Sequence, residues 1–162
     1  MKRGLDTPGL FVDRDAAHEA LRLAAPLLER AAGDAGVGQS GVVYVVVMDP
    51  SRPACSCGRS CEFEQAILAE QGFGKPRAEW DADYAGYARA KARLAWRTGR
   101  DSHAVRALSP HLLRRDDTPL WGSVCVDGIA VGVSGAEPEF DEALSGAVAM
   151  CLRAVVKRRA RS

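Results

Sequence analysis

Three kinds of side chain in this sequence are placed where they could do chemistry. Cys55, Cys57 and Cys61 crowd thiols into one short stretch of a chain with 5 cysteines in all. Thiolates that close together could hold zinc or another soft metal, or exchange disulfides. A closed zinc site needs a fourth ligand, and no Cys-x-x-Cys partner supplies one. His18 falls early in a helical pattern beside Leu21 and Ala25, where a neutral imidazole could ligate iron or simply sit half-exposed. His103 and His111 fall in a polar connection. No Cys-x-x-Cys-His is present for covalent haem attachment. Lys91 lies on or beside an Ala-rich helix face. Its ammonium can reach out to solvent or be offered to a carboxylate in a cleft.

Gly132-Val133-Ser134-Gly135-Ala136 follows an apolar run and precedes an acidic helix start, which is the setting of a nucleophile elbow. The motif closes on Ala136 instead of glycine, and no histidine follows it. A tight strand-to-helix turn at Ser134 and Gly135 is the alternative. A backbone cup for an anion is opposed by Glu137, Glu139 and Asp141. Glu139, Asp141 and Glu142 could hold a hard cation, or complement the helix dipole.

The elements that position these groups follow from periodicity. Asp13 or Asp15 caps a helix whose stripe is Ala17, Leu21, Ala24, Leu28 and Ala32, with Pro26 kinking or splitting it. Val42–Met48 is a β-branched run expected to be a central strand buried on both faces. Residues 49–62 read as loop, and a weaker strand is expected near residues 66–71. A second helix spans residues 83–98, with the stripe Tyr84, Tyr87, Ala88, Ala92 and Ala95, and ends at Gly99. Residues 100–119 form a long polar connection with room for one helical turn. Two apolar runs, 120–126 and 129–134, flank Asp127-Gly128, a strong signal for a tight antiparallel hairpin. The last helix opens near Pro138 with the stripe Phe140, Leu144, Val148, Cys151 and Val155, and closes on Lys157, Arg158 and Arg159.

With 162 residues the chain is expected to be a single domain over 1–162, with a loose N-terminal arm over 1–12 and a Cys-bearing loop insertion over 50–65. The formal net charge of +1 makes nucleic acid or an anionic membrane a poor electrostatic partner for the whole molecule. No apolar run spans a bilayer and no export signal is visible, so a cytoplasmic location is expected.

Lys91-Ala92, Gly122, Asp127-Gly128, Gly132-Val133-Ser134-Gly135 and Asp141-Glu142 occur in an order that resembles the GlcG/HbpS-like family. That group includes the C-terminal domain of PduO-type adenosyltransferases and is described as haem-binding or haem-degrading. Gly122-Ser123-Val124-Cys125 stands where the family carries Gly-Gly-x-Pro. The resemblance covers most of the chain. It implies an α+β fold: an antiparallel sheet of about five strands flanked by helices, in a profilin-like layered architecture. It also implies a homo-oligomer, and a haem- or small-ligand-binding role with little or no catalysis. His18 would then be the iron ligand, and Lys91 with Arg89 or Arg93 would meet the propionates, with Ser134 and Gly135 nearby. Two other readings compete: an enzyme or accessory acting on a small carboxylate-bearing metabolite between the first two helices, and an oligomeric scaffold.

Overall fold

A computed structural model describes residues 12–54 and 60–162, with no side-chain description for Ser60 and Cys61. The expected metal or disulfide role of Cys55, Cys57 and Cys61 therefore lies outside the described residues, as does most of the N-terminal arm.

The Asp127-Gly128 hairpin forms as expected. Asp127 takes φ 49° and Gly128 φ 80°, and they join β3 (Ser123–Val126) to β4 (Ile129–Ser134). The apolar run Val42–Met48 is β1, buried at every residue and paired antiparallel to β4 on one side and β2 (Ile67–Gly74) on the other. The sheet order is β2-β1-β4-β3, so among the described residues it has four strands where about five were expected.

Side-chain alternation along β1 explains why the run is apolar throughout. Val43, Val45 and Val47 face one core with α1 (Arg14–Ala32) and α5 (Pro138–Arg159). Tyr44, Val46 and Met48 face a second core with Phe63 and the Ala85, Ala88, Ala92 and Ala95 stripe of α3 (Tyr84–Thr98). Both faces are covered, so neither can carry polar side chains. The small stripe lets α3 approach closely. A side chain at Gly132 of β4 would lie 2.5 Å from the Ala88 carbonyl.

Local signals set the helix ends. The Asp13 carboxylate accepts from the Ala16 N–H at 2.8 Å and starts α1. Asp83 accepts from the Gly86 N–H, and Gly99 ends α3 with φ 67°. α1 runs unbroken through Pro26, which is exposed, so the two pieces considered from sequence are one helix.

Three further expectations are corrected. A short helix, α2 (Ser60–Gln65), occupies the end of what reads as loop. The connection over 100–119 holds α4 (Ser102–Leu108) and a 3-10 turn at Pro110–Leu112. α4 has a clear job: the Ser102 hydroxyl accepts from the Ser123 N–H at 3.0 Å, and the Asp101 carboxylate accepts from the Cys125 N–H at 2.8 Å. Those are alternate N–H groups of the edge strand β3, so α4 satisfies an edge that would otherwise invite another chain. Finally, Tyr84 and Tyr87 are not in the buried stripe; Tyr84 is half-buried and Tyr87 exposed.

Candidate functional site

Lys91 and Asp141 sit on α3 and α5, which pack on opposite faces of the sheet, yet their side chains meet. Lys91 Nζ lies 2.7 Å from Asp141 Oδ2, with the two side chains 3% and 2% exposed. The ammonium also donates to the Val133 carbonyl at 3.1 Å, and Asp141 Oδ1 accepts from the Ala136 N–H at 3.0 Å.

The contact passes beside the start of β3 through a gap that only glycine leaves. Gly122 takes φ 132°, and a Cβ there would lie 2.6 Å from Asp141 Cβ and 3.4 Å from Lys91 Nζ. The Gly122 peptide is fixed from two helices. Its N–H donates to the Ser102 hydroxyl at 3.1 Å and its carbonyl accepts from the Ser145 hydroxyl at 2.7 Å. Burial pushes the Asp141 carboxyl up to about 6, against the pull of the Lys91 ammonium. Two charges taken out of water oppose folding strongly, and their attraction offsets that only in part.

Above this pair opens a cleft of about 330 Å³. Tyr84 and Tyr87 come from α3, Leu120 and Trp121 from the approach to β3, and Ser134 through Pro138 from the turn into α5. Tyr84, Tyr87 and Lys91 share one side of α3 because they are spaced by a turn or two. The turn is tight: Gly135 takes φ 120°, and a side chain there would lie 2.0 Å from the Val42 carbonyl. Ser134 is 4% exposed. Its hydroxyl makes no hydrogen bond to another described residue and opens on the cleft, whereas the buried hydroxyl left without a partner is that of Ser123 on β3.

Lys91, Ser134 and Gly135 are thus brought together as the sequence reading grouped them, but the other candidates are not. His18 is exposed on α1. Arg158 pairs with Glu19 and Arg159 with Asp13, so the start of α1 lies against the end of α5. Asp141 is at the other end of α5, and the helical rise puts about 25 Å between Asp141 and Arg158. Within one chain His18 and Lys91 cannot hold the same small ligand. The expected cleft between the first two helices does not exist either, because the sheet lies between α1 and α3.

Arg89 and Arg93 are each two positions from Lys91, which turns them to the other side of α3. Arg89 makes a two-pronged pair with Glu70 at 2.8 and 2.6 Å, and Arg93 stacks its guanidinium over Phe63 at 5.9 Å. His103 stacks on Trp121 with ring centroids 4.3 Å apart, and His111 is exposed. Among the described residues no histidine, cysteine or methionine lines the cleft, Tyr84 is engaged with Asp81, and the lysine is already paired, so Tyr87 is the one iron-ligating side-chain type left there and no free cation meets a propionate. The cation reading of Glu139, Asp141 and Glu142 is overturned because Asp141 turns inward to Lys91. No group of three or more such side chains among the described residues is arranged to hold a metal ion.

The nucleophile reading lacks its base: among the described residues no side chain hydrogen-bonds to the Ser134 hydroxyl, and Lys91 and Asp141 in the same cleft are paired with each other. Sequence reasoning missed Asp141 as Lys91's partner and Trp121 as a cleft wall. An acidic residue in a helix's first turn reads as a dipole complement, and only packing shows that this one is buried.

No family model and no curated protein matches the chain. Among solved structures it is similar to the Klebsiella pneumoniae protein ORFY, described with the family model DUF336. The TM-score is 0.52 at 18% identity, over 95% of this chain and 97% of that chain. DUF336 is known as a GlcG-like family, and the likeness shows that this chain has the α+β fold of a DUF336 protein.

Proposed function

We propose that this chain is a small-ligand-binding protein of the GlcG/HbpS type. It holds its ligand in the cleft above Lys91 and Asp141 and does little or no catalysis. One observation carries the reading: the Ser134 hydroxyl, which makes no hydrogen bond to another described residue, lines a cleft walled by Tyr87, Leu120 and Trp121. A hydroxyl that opens on a cleft with its donor and lone pairs unspent suits a ligand that can use them. The absence of a base beside Ser134 among the described residues supports binding over hydrolysis.

Amide and indole shift mapping with a library of monocyclic compounds tests the reading. The expected perturbations cluster on Ser134, Gly135, Tyr87 and Trp121. Perturbations that cluster elsewhere overturn it. Haemin is the decisive competitor: a Soret shift abolished by His18→Ala would move the ligand to the exposed surface of α1. Self-association, expected from the family resemblance, belongs to the same reading. Leu23, Leu27, Phe140 and Met150 are exposed on α1 and α5. Light scattering at the monomer mass at micromolar concentration would remove it.

A further inference from the structure

The cleft's floor was expected to offer a free cation to a carboxylate ligand. Its charges point the other way. The charged residues that line it are Lys91, Glu137 and Asp141, one cation against two carboxylates. The cation is consumed, because Lys91 donates to Asp141 at 2.7 Å and to the Val133 carbonyl at 3.1 Å. An anion entering here meets a self-neutralised Lys91–Asp141 pair and the uncompensated carboxylate of exposed Glu137, and would leave its own water behind to do so.

The remaining hydrogen-bonding groups that line the cleft are uncharged in effect; they include the Gln39 carboxamide, which donates to the Ala35 carbonyl at 3.2 Å, and the Ser40 hydroxyl, which is engaged with the Val42 and Gly135 carbonyls. An ammonium carries three N–H donors, of which Val133 and Asp141 take two. The Ser134 hydroxyl adds one donor and its lone pairs. The walls are aromatic: Tyr87 and Trp121 can each lie against a flat ring. The Tyr84 hydroxyl donates a hydrogen bond to Asp81, so it contributes ring surface and little else.

Resting on the cleft reading above, we propose that the ligand is a neutral, planar small molecule carrying a hydrogen-bond acceptor such as an amide or lactam carbonyl, and that the cleft rejects carboxylates of the same shape. Its carbonyl accepts hydrogen bonds from the Ser134 hydroxyl and the remaining N–H of Lys91, while its ring lies between Tyr87 and Trp121. The buried pair is what sets this preference. Without the Asp141 charge, the same lysine becomes an anion receptor.

Benzamide and benzoate are matched probes that differ in charge at one group. Each is titrated at neutral pH into the full-length protein while the Ser134 amide and Trp121 indole signals are followed. Benzamide is expected to perturb both and to bind at least tenfold more tightly than benzoate. Asp141→Asn is expected to reverse the order, and Ser134→Ala to weaken benzamide. Benzoate binding at these signals as tightly as benzamide overturns the charge inference and leaves the cleft as a site. If neither probe moves these signals at millimolar concentration, the cleft reading itself falls. Should Asp141→Asn not fold, the wild-type preference alone still decides the matter.

Discussion

The two ends of α5 carry the same chemistry and use it differently. Its C-terminal end pairs Arg158 with Glu19 and Arg159 with Asp13 in exposed or part-exposed geometry. Its N-terminal end pairs Asp141 with Lys91 almost entirely out of water. Exposed pairs are screened and gain little, whereas a buried pair has to recover a large desolvation loss. The outer pairs tie α5 to the start of α1 at little energetic consequence. The inner pair fixes the floor of a cleft at a cost to stability, which suits a group kept for position and charge pattern.

Breaking the inner pair from one side should give the largest effect. Lys91→Met leaves a buried carboxylate without its counter-charge, and the expected loss in urea denaturation is about 3–5 kcal/mol. A loss no larger than that of an average surface substitution would contradict the burial.

The next effect is one of pH. Asp141 titrates at about 6 in the folded chain against an ordinary value of 3.8, so between those values the folded chain holds a proton that the unfolded chain has released. Stability from this group is therefore fully present below about pH 4 and is lost as pH rises through 6, a change of about 3 kcal/mol. Asp13 and Glu70, which are held low by Arg159, Arg89 and backbone contacts, work in the opposite direction, so the measurable quantity is a difference. Wild-type stability minus that of Asp141→Asn should fall between pH 4 and 7. A flat difference would show that Asp141 titrates normally.

Gly122→Ala sharpens the comparison by wedging the inner pair without removing a charge. Its Cβ would press on Asp141 Cβ at 2.6 Å in a backbone conformation that side chains rarely adopt. The expected loss is about 1–3 kcal/mol, read from the thermal midpoint. Wild-type stability in this variant would mean that the gap is not needed.

Ser134→Ala should leave stability within about 0.5 kcal/mol, because the hydroxyl it removes makes no hydrogen bond to another described residue and opens on the cleft. A large loss would reveal a hydrogen bond that the geometry does not contain. Smallest of all, Arg158→Ala should leave the denaturation midpoint unchanged, and a clear shift would erase the contrast between the two ends.

Much of the fold was legible because local chemistry dictates it. Asp127-Gly128 specifies a hairpin by needing two positive φ values, Gly99 specifies a helix end, and an unbroken β-branched run specifies a strand covered on both faces. The site was only half legible. Lys91, Ser134 and Gly135 converge, because the strand-to-helix turn lies beside the face of α3 that carries Lys91. His18, Arg89 and Arg93 do not join them. Their grouping needed knowledge of which face of the sheet each helix covers, and that depends on packing between distant segments. Asp141 was readable only as a dipole complement for the same reason: nothing within the helix tells that Lys91, fifty positions earlier, will be buried against it.

The central claim is that Lys91 and Asp141 act as one unit beneath the cleft, and a thermodynamic cycle tests it most directly. Urea denaturation at neutral pH would compare wild type, Lys91→Met, Asp141→Asn and the double variant. The account predicts that adding Asp141→Asn to Lys91→Met restores stability, because it removes the carboxylate left without a counter-charge. If instead Asp141→Asn changes stability by the same amount in the presence and absence of Lys91, the two residues are independent and the claim is wrong.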